Sequence, residues 1–274
     1  MLRNKFREFI NRNRWFKYIP NSLTLCNSLC GFGAILYTLN AYLEYKQSGG
    51  GGVINVYAIS AWIILSAMVF DALDGFAARI FNAASMHGLQ MDSLADMVTF
   101  GVAPAVIVAI MAHCLREMQQ SQYLIVWALC AVYMGCAALR LATYNVHAML
   151  EKKSGDKFSG LPSPGAASGI CSAVIFYSTT YKGSSENLEK LAWILPIYAA
   201  VLGLLMVSNI SYPHVGRWLQ SVRRNYRSLA LLLTILILIV VFRIMAIVVI
   251  INLYIFSGPI IAVFKKMEPR VAVK

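Results

Sequence analysis

Long apolar segments constrain the fold of this chain more than any other feature. The longest covers residues 229–264 with one charged side chain, Arg243, and at about 1.5 Å per helical residue it exceeds a hydrocarbon core of about 30 Å. Of the 274 residues, 59% are hydrophobic and 13% charged, and the mean hydropathy is +0.63, which excludes a soluble domain. The sequence therefore predicts an all-α, polytopic integral membrane helix bundle.

Apolar stretches predict where the chain crosses the bilayer. Six spans are expected within a bundle formed by residues 18–212, at 19–43, 53–79, 92–114, 123–146, 164–181 and 191–212. Residues 213–274 are predicted to form a basic loop, a hairpin of two short spans turning near 242–244, and a basic tail. The expected total is about eight spans. The four glycines at 49–52 lack the lysine and helix start of a phosphate loop, so we interpret them as a flexible turn.

Basic residues predict the orientation of the chain. Residues 1–17 contain six Lys and Arg, with apolar residues at helical spacing, which predicts an amphipathic helix on the membrane surface; a solvated charged tail is the alternative. Most of the 24 Lys and Arg fall on the cytoplasmic side if the N-terminus is cytoplasmic. The net charge of +12 is therefore explained by anionic membrane lipids, and no nucleic-acid partner is expected.

Four of the twelve acidic residues lie within residues 71–96, in otherwise apolar surroundings. If both flanking segments are helical, Asp71 and Asp74 share one helix face, and Asp92 and Asp96 share a face of the next helix. Carboxylates packed closely in an apolar setting repel one another and resist desolvation, which favours a divalent cation that neutralises them. The alternative is a helix pair whose polar residues satisfy one another.

The defined residues follow the pattern Asp-x-x-Asp-Gly-x-x-Ala-Arg, eight residues, then Gly-x-x-x-Asp-x-x-x-Asp. They are Asp71, Asp74, Gly75, Ala78, Arg79, Gly88, Asp92 and Asp96. This pattern resembles the signature of the CDP-alcohol phosphotransferase family at every defined position. The resemblance implies an enzyme that binds two Mg²⁺ or Mn²⁺ ions and transfers a phosphoryl-linked group from a CDP-alcohol to a hydroxyl. It also implies a homodimer.

The resemblance assigns roles to individual residues. It implies four metal ligands, Asp71, Asp74, Asp92 and Asp96. Asp96 is also the implied general base, and Arg79 the implied clamp for diphosphate oxygens. Implied substrate contacts lie at Gly75, Ala78 and Gly88, and at Asn21 and Thr24 of a Pro-Asn-x-x-Thr element. Capping of the first span is the other interpretation of that element.

Three further stretches, at 92–104, 139–146 and 158–164, resemble the phosphatidylserine synthase branch of the family. This resemblance implies CDP-diacylglycerol and L-serine as substrates, and the distribution of Lys and Arg predicts that the four Asp lie at the cytoplasmic ends of the second and third spans. Arg140 is a candidate cation for the serine carboxylate, or only a cytoplasmic membrane anchor. Glycerol 3-phosphate and inositol phosphate are alternative acceptors, although a phosphate dianion calls for more cations than the predicted spans offer.

A transporter is the alternative from another functional class, with the four Asp as a cation or proton relay. Relay carboxylates should be spread through the bilayer, whereas these are expected at one depth. The six Cys lie in or beside apolar segments without metal-ligand spacing and are interpreted as small buried hydrophobes. The four His form no pair at ligand spacing, so none is assigned a catalytic role.

Overall fold

A computed structural model of the chain describes residues 18–48, 53–81, 85–115, 119–150, 160–180, 185–212 and 226–267. The described residues are almost entirely helical and contain no strand, which confirms the all-α prediction. The helices are α1 (Ile19–Ser48), α2 (Val53–Ile80), α3 (Met86–Asp96), α4 (Ala103–Leu115), α5 (Gln120–Leu150), α6 (Ser163–Thr180), α7 (Ser185–Val207) and α8 (Tyr226–Met267). A π-helix, Met97–Val102, joins α3 directly to α4.

Six helical segments of the described chain are long and apolar enough to cross a membrane. They are Ile19–Glu44, Val56–Ile80, Met86–Cys114, Gln120–His147, Lys190–Val207 and Ile244–Phe264. Their outward surfaces are apolar: on α1, Leu25, Leu29, Phe32 and Leu36 recur every three or four residues, and each is about half exposed. Such a stripe has no favourable contact with water, so it faces lipid in an integral membrane protein.

Helix α6 lies in the interior of the bundle rather than at its surface. Twelve of its eighteen residues are buried, and many of them are Gly, Ala or Ser, which allow neighbouring helices to approach closely. Its serine hydroxyls donate to carbonyl oxygens of their own helix, as Ser172 does to Gly169 at 2.8 Å. The same close approach joins α5 and α7, where a Cβ on Gly203 would lie 2.8 Å from the Tyr133 Cα.

Gly160 and Leu161, just before α6, hydrogen-bond to the end of α7 and to the residues that follow it, at the end of the bundle predicted to be cytoplasmic. Gly160 has a φ of +92°, and its N–H donates to the Ile210 carbonyl at 2.8 Å. The next N–H, that of Leu161, donates to the Leu205 carbonyl at 3.0 Å. A Cβ on Gly160 would collide with the Met206 carbonyl, so only glycine fits both the backbone conformation and the close approach.

Two predicted span boundaries differ from the structure. The third span was expected to begin at residue 92, but α3 begins at Met86 because the Ser85 hydroxyl caps it by accepting from the Gly88 N–H at 3.0 Å. The sixth was expected to reach residue 212, but α7 ends at Val207, where the carbonyls of Leu205 and Ile210 are used to bind the segment before α6.

The predicted C-terminal hairpin is wrong, because α8 continues without a break through residues 242–244. The hairpin was expected because residues 229–264 are too long for one crossing, but residues 229–251 contain no Gly, Pro, Asn or Asp that would favour a turn over helix. The C-terminal half of α8 packs on the bundle. The Tyr198 hydroxyl donates to Asn252 Oδ1 at 2.9 Å, and the Tyr212 hydroxyl donates to the Ile255 carbonyl at 3.1 Å. The predicted surface helix at 1–17, the glycine turn at 49–52 and the basic tail after 267 lie outside the described residues.

Candidate metal centre and active site

Three carboxylates converge where α2 and α3 meet. Asp71 and Asp74 lie one turn apart near the end of α2, and Asp92 lies in the second half of α3. One oxygen from each of the three side chains lies within 4.8 Å of the others, an arrangement that could hold a metal ion. Asp74 is buried, and the other two are half-buried.

Asp96 lies near these three carboxylates but does not belong to the set whose oxygens are all within 4.8 Å of one another. It is 9% exposed, lies one turn further along α3 than Asp92, and its Oδ1 accepts a hydrogen bond from the Asn27 amide at 3.1 Å. The sequence grouped all four Asp as ligands, whereas the structure groups three and pairs the fourth with an amide of α1.

The residues of α1 predicted to contact substrate lie directly beside the carboxylates. The Thr24 hydroxyl lies 2.8 Å from Asp74 Oδ2 and 3.1 Å from the Pro20 carbonyl; it has one proton, so it can donate to only one of them at a time. Asn21 faces α3, because a Cβ on Gly88 would lie 3.6 Å from the Asn21 Oδ1. Thus α1 forms one wall of the carboxylate site.

The remaining signature residues of α2 border open space. Apart from the adjoining backbone of α2, no atom of the described residues lies within 4 Å of the position that a Cβ on Gly75 would occupy, and Ala78 is half-buried. Arg79 is exposed, and its Nε donates to the Gly75 carbonyl at 2.9 Å, within its own helix. This internal bond fixes the base of the guanidinium beside an accessible surface next to Asp74.

The donor set fits a hard divalent cation. Asp92 Oδ1 is buried and has no hydrogen-bond partner among the described residues, although a buried acceptor without a partner costs about 1–3 kcal/mol. A cation would remove that cost and the repulsion among the three carboxylates. Carboxylate oxygens are the ligands that Mg²⁺ and Mn²⁺ prefer.

A family model described as CDP-alcohol phosphatidyltransferase matches residues 17–206, well over half of the chain. The chain belongs to that family. It is therefore a membrane-embedded CDP-alcohol phosphotransferase, which confirms the class expected from the signature.

Curated relatives include enzymes that are named for serine. The chain is 32% identical over 204 residues to a CDP-diacylglycerol--serine O-phosphatidyltransferase of Helicobacter pylori, covering 74% of this chain and 78% of the relative. It is 32% identical over 212 residues to the enzyme of that name from Bacillus subtilis, with coverages of 73% and 98%. It is 33% identical over 202 residues to an archaetidylserine synthase of Methanothermobacter thermautotrophicus, with coverages of 73% and 71%.

Arg140 lies outside the carboxylate group, in the part of α5 that the family model also covers. It is half-buried, and its Nη1 donates to the Met206 carbonyl at the end of α7 at 3.3 Å. Gly160 packs against the same carbonyl. Arg140 therefore contacts the end of α7 at the point where Gly160, just before α6, packs against it.

Two features of the site were missed from the sequence. Asn27, the partner of Asp96, follows Thr24 by three residues, as Thr24 follows Asn21, and this spacing would have placed all three on one face of α1. The second is a bond between α3 and α5, in which the Ser93 hydroxyl donates to Asn145 Oδ1 at 2.8 Å. The two residues line an open cavity of about 350 Å³ on another face of α3.

Proposed function

We propose that the protein transfers the phosphatidyl group of CDP-diacylglycerol to the hydroxyl of L-serine, with release of CMP. The class of reaction rests on family membership, and the choice of acceptor rests on the relatives, several of which are named for serine. The observation that carries the chemistry is the convergence of Asp71, Asp74 and Asp92 within 4.8 Å. Diphosphate transfer needs a site of this kind, where anionic ligands gather divalent cations beside a nucleotide.

Asp71, Asp74 and Asp92 are proposed to hold Mg²⁺ or Mn²⁺, and a second ion would extend the ligand set to Asp96. When bound, the metal neutralises the phosphates and stabilises the oxygen that departs with CMP. Thr24 would orient Asp74 through its 2.8 Å hydrogen bond, so that the carboxylate presents its other oxygen to the site.

The other signature residues would bind the nucleotide and accept the proton. Arg79 offers a planar set of donors to diphosphate oxygens, and the open space at Gly75 lets the substrate approach the backbone of α2. The serine oxygen forms a bond to the phosphorus that carries diacylglycerol, and the bond from that phosphorus to the CMP oxygen breaks. The hydroxyl proton passes to Asp96, which is nearly buried and therefore shielded from bulk water.

Arg140 is the proposed partner of the serine carboxylate. It is half-buried, and one donor on Nη1 is used by the Met206 carbonyl, which leaves the guanidinium with further N–H groups for a ligand. Because a bidentate contact with a carboxylate would use two of them, the side chain could serve both contacts.

The active site is proposed to face the cytoplasm, and the protein is proposed to be a homodimer. The orientation is supported by the excess of Lys and Arg at the ends of the spans that carry the carboxylates. Arg79, at the end of α2, and the three lysines within residues 151–159, after α5, belong to that excess.

The purified full-length protein in detergent tests the function directly. CMP release is measured with CDP-diacylglycerol and Mn²⁺, with L-serine, glycerol 3-phosphate, inositol phosphate or no acceptor. Serine-dependent release that a chelator abolishes is expected. Release with another acceptor would contradict the choice of serine, while cation uptake into vesicles without CMP release would favour the transporter.

A further inference from the structure

Asn27 is bound to two parts of the same segment of the chain. Its side-chain amide donates to Asp96 Oδ1 at 3.1 Å, and its backbone carbonyl accepts from the Thr99 hydroxyl at 2.9 Å. Asn27 and Thr99 are fully buried, and Asp96 is 9% exposed. Residue 27 of α1 therefore contacts the end of α3 and the π-helix that follows it.

The amide of Asn27 is poorly explained as a stabilising core residue. Its Oδ1 is buried and has no hydrogen-bond partner among the described residues, which carries an energetic cost. Thr38, which is equally buried on the same helix, donates to the Ala34 carbonyl at 2.8 Å and so needs no partner outside α1. A leucine at position 27 would have the same branching at Cγ without the unpaired oxygen, so the amide is better explained by what it does to Asp96.

The π-helix makes this contact possible. It begins directly after Asp96, and it is held from both sides, by Thr99 to α1 and by the Tyr133 hydroxyl, which donates to the Phe100 carbonyl at 2.7 Å. One turn beyond Asn27, a Cβ on Gly31 would lie 2.8 Å from the Thr99 Cα. The absence of that Cβ lets α1 approach closely enough for the short Asn27 side chain to reach Asp96. Local π geometry of this kind is frequent at functional sites.

We propose that Asn27 is a positioning residue for Asp96. The inference rests on the proposed function, in which Asp96 accepts the proton of the attacking hydroxyl. The Asn27 amide holds Oδ1 and fixes the rotamer of the carboxylate, so that Oδ2 is the oxygen presented to the acceptor. Asn27 does not contact substrate; it acts through Asp96, and the Thr99 bond holds the backbone from which it acts.

The test compares Asn27→Leu with Thr38→Val in the full-length protein. Four quantities are measured: kcat, the KM values for L-serine and CDP-diacylglycerol, the dissociation constant for Mn²⁺ from electron paramagnetic resonance without substrate, and the melting temperature. Asn27→Leu is expected to lower kcat by about 10- to 100-fold, as for other groups that orient a ligating or catalytic side chain. Both KM values and the affinity for the first Mn²⁺ ion, the one held by Asp71, Asp74 and Asp92, should stay within about twofold, and the melting temperature should be no lower than that of Thr38→Val.

Other results would overturn the proposal. An unchanged kcat in Asn27→Leu would show that Asn27 does not position Asp96. A rise in the KM for serine alone would instead identify Asn27 as a binding residue. A parallel fall of activity and melting temperature would identify it as a core residue. If Asn27→Leu does not fold, Thr99→Val decides: it should lower kcat at unchanged KM, and Thr99→Ser, which keeps the hydroxyl, should lose less. Equal effects of the two Thr99 variants would overturn the proposal as well.

The acceptor used by the wild-type protein distinguishes a failure of this inference from a failure of the proposed function. If the wild type uses another acceptor, serine is rejected, and the same variants are compared with that acceptor, because an effect on Asp96 should appear whichever hydroxyl attacks. If serine supports CMP release and the Asn27 variant is unimpaired, only the inference fails.

Discussion

Thr24→Val should weaken metal binding although Thr24 is not itself an expected ligand. The substitution preserves shape and removes the hydroxyl that lies 2.8 Å from Asp74 Oδ2, where both side chains are 5% exposed. Hydrogen bonds to charged groups contribute about 1.5–3 kcal/mol, and about 1.4 kcal/mol corresponds to a factor of ten. We therefore expect the dissociation constant for Mn²⁺ to rise by about 10- to 100-fold.

The assay is a Mn²⁺ titration of the detergent-solubilised protein followed by electron paramagnetic resonance, in the absence of substrate. Thr24→Ser should retain most of the affinity, because it keeps the hydroxyl. Thr38→Val is the matched control, since it removes a buried hydroxyl of α1 that bonds only to its own helix. An affinity for Mn²⁺ that is the same in Thr24→Val and in the wild type would refute the claim that Thr24 orients a ligand.

Two further substitutions test the packing of α1 and the role of Arg140. Gly31→Ala should lower the free energy of unfolding by about 1–3 kcal/mol, because its Cβ would overlap with Thr99. Gly33→Ala is the control, since a Cβ on Gly33 would meet no other part of the described structure within 4 Å. Equal melting temperatures of the two variants would contradict this prediction. Arg140→Gln should raise the serine KM by about tenfold or more while the KM for CDP-diacylglycerol stays constant, and an unchanged serine KM would identify Arg140 as an anchor.

Helical phase made the carboxylate site predictable from the sequence. The spacing of Asp71 and Asp74, and of Gly88 and Asp92, sets each group on one face of its helix, and the structure brings those faces together. The helix face on which a residue lies does not give its position along the helix axis, however. Asp92 and Asp96 share a face but lie about 6 Å apart along the axis, and at its position Asp96 accepts a hydrogen bond from Asn27 of α1.

Features that depend on contacts between helices could not be predicted in the same way. The π-helix after Asp96 is held by two residues that are distant in sequence: the Asn27 carbonyl accepts from Thr99, and the Tyr133 hydroxyl donates to the Phe100 carbonyl. The continuous α8 was missed because bilayer thickness was given more weight than the absence of turn residues around Arg243.

The most direct test of the central claim is serine-dependent CMP release as a function of Mn²⁺ concentration, in the wild type and in Asp92→Asn. Ser66→Ala is the control, because Ser66 is an exposed residue of α2 whose hydroxyl donates only to the Trp62 carbonyl. The wild type and the control should show saturable, chelator-sensitive release, and Asp92→Asn should show none at the same Mn²⁺ concentrations. Serine-dependent release that persists in Asp92→Asn, or that is indifferent to metal, would contradict a catalytic metal centre formed by Asp71, Asp74 and Asp92.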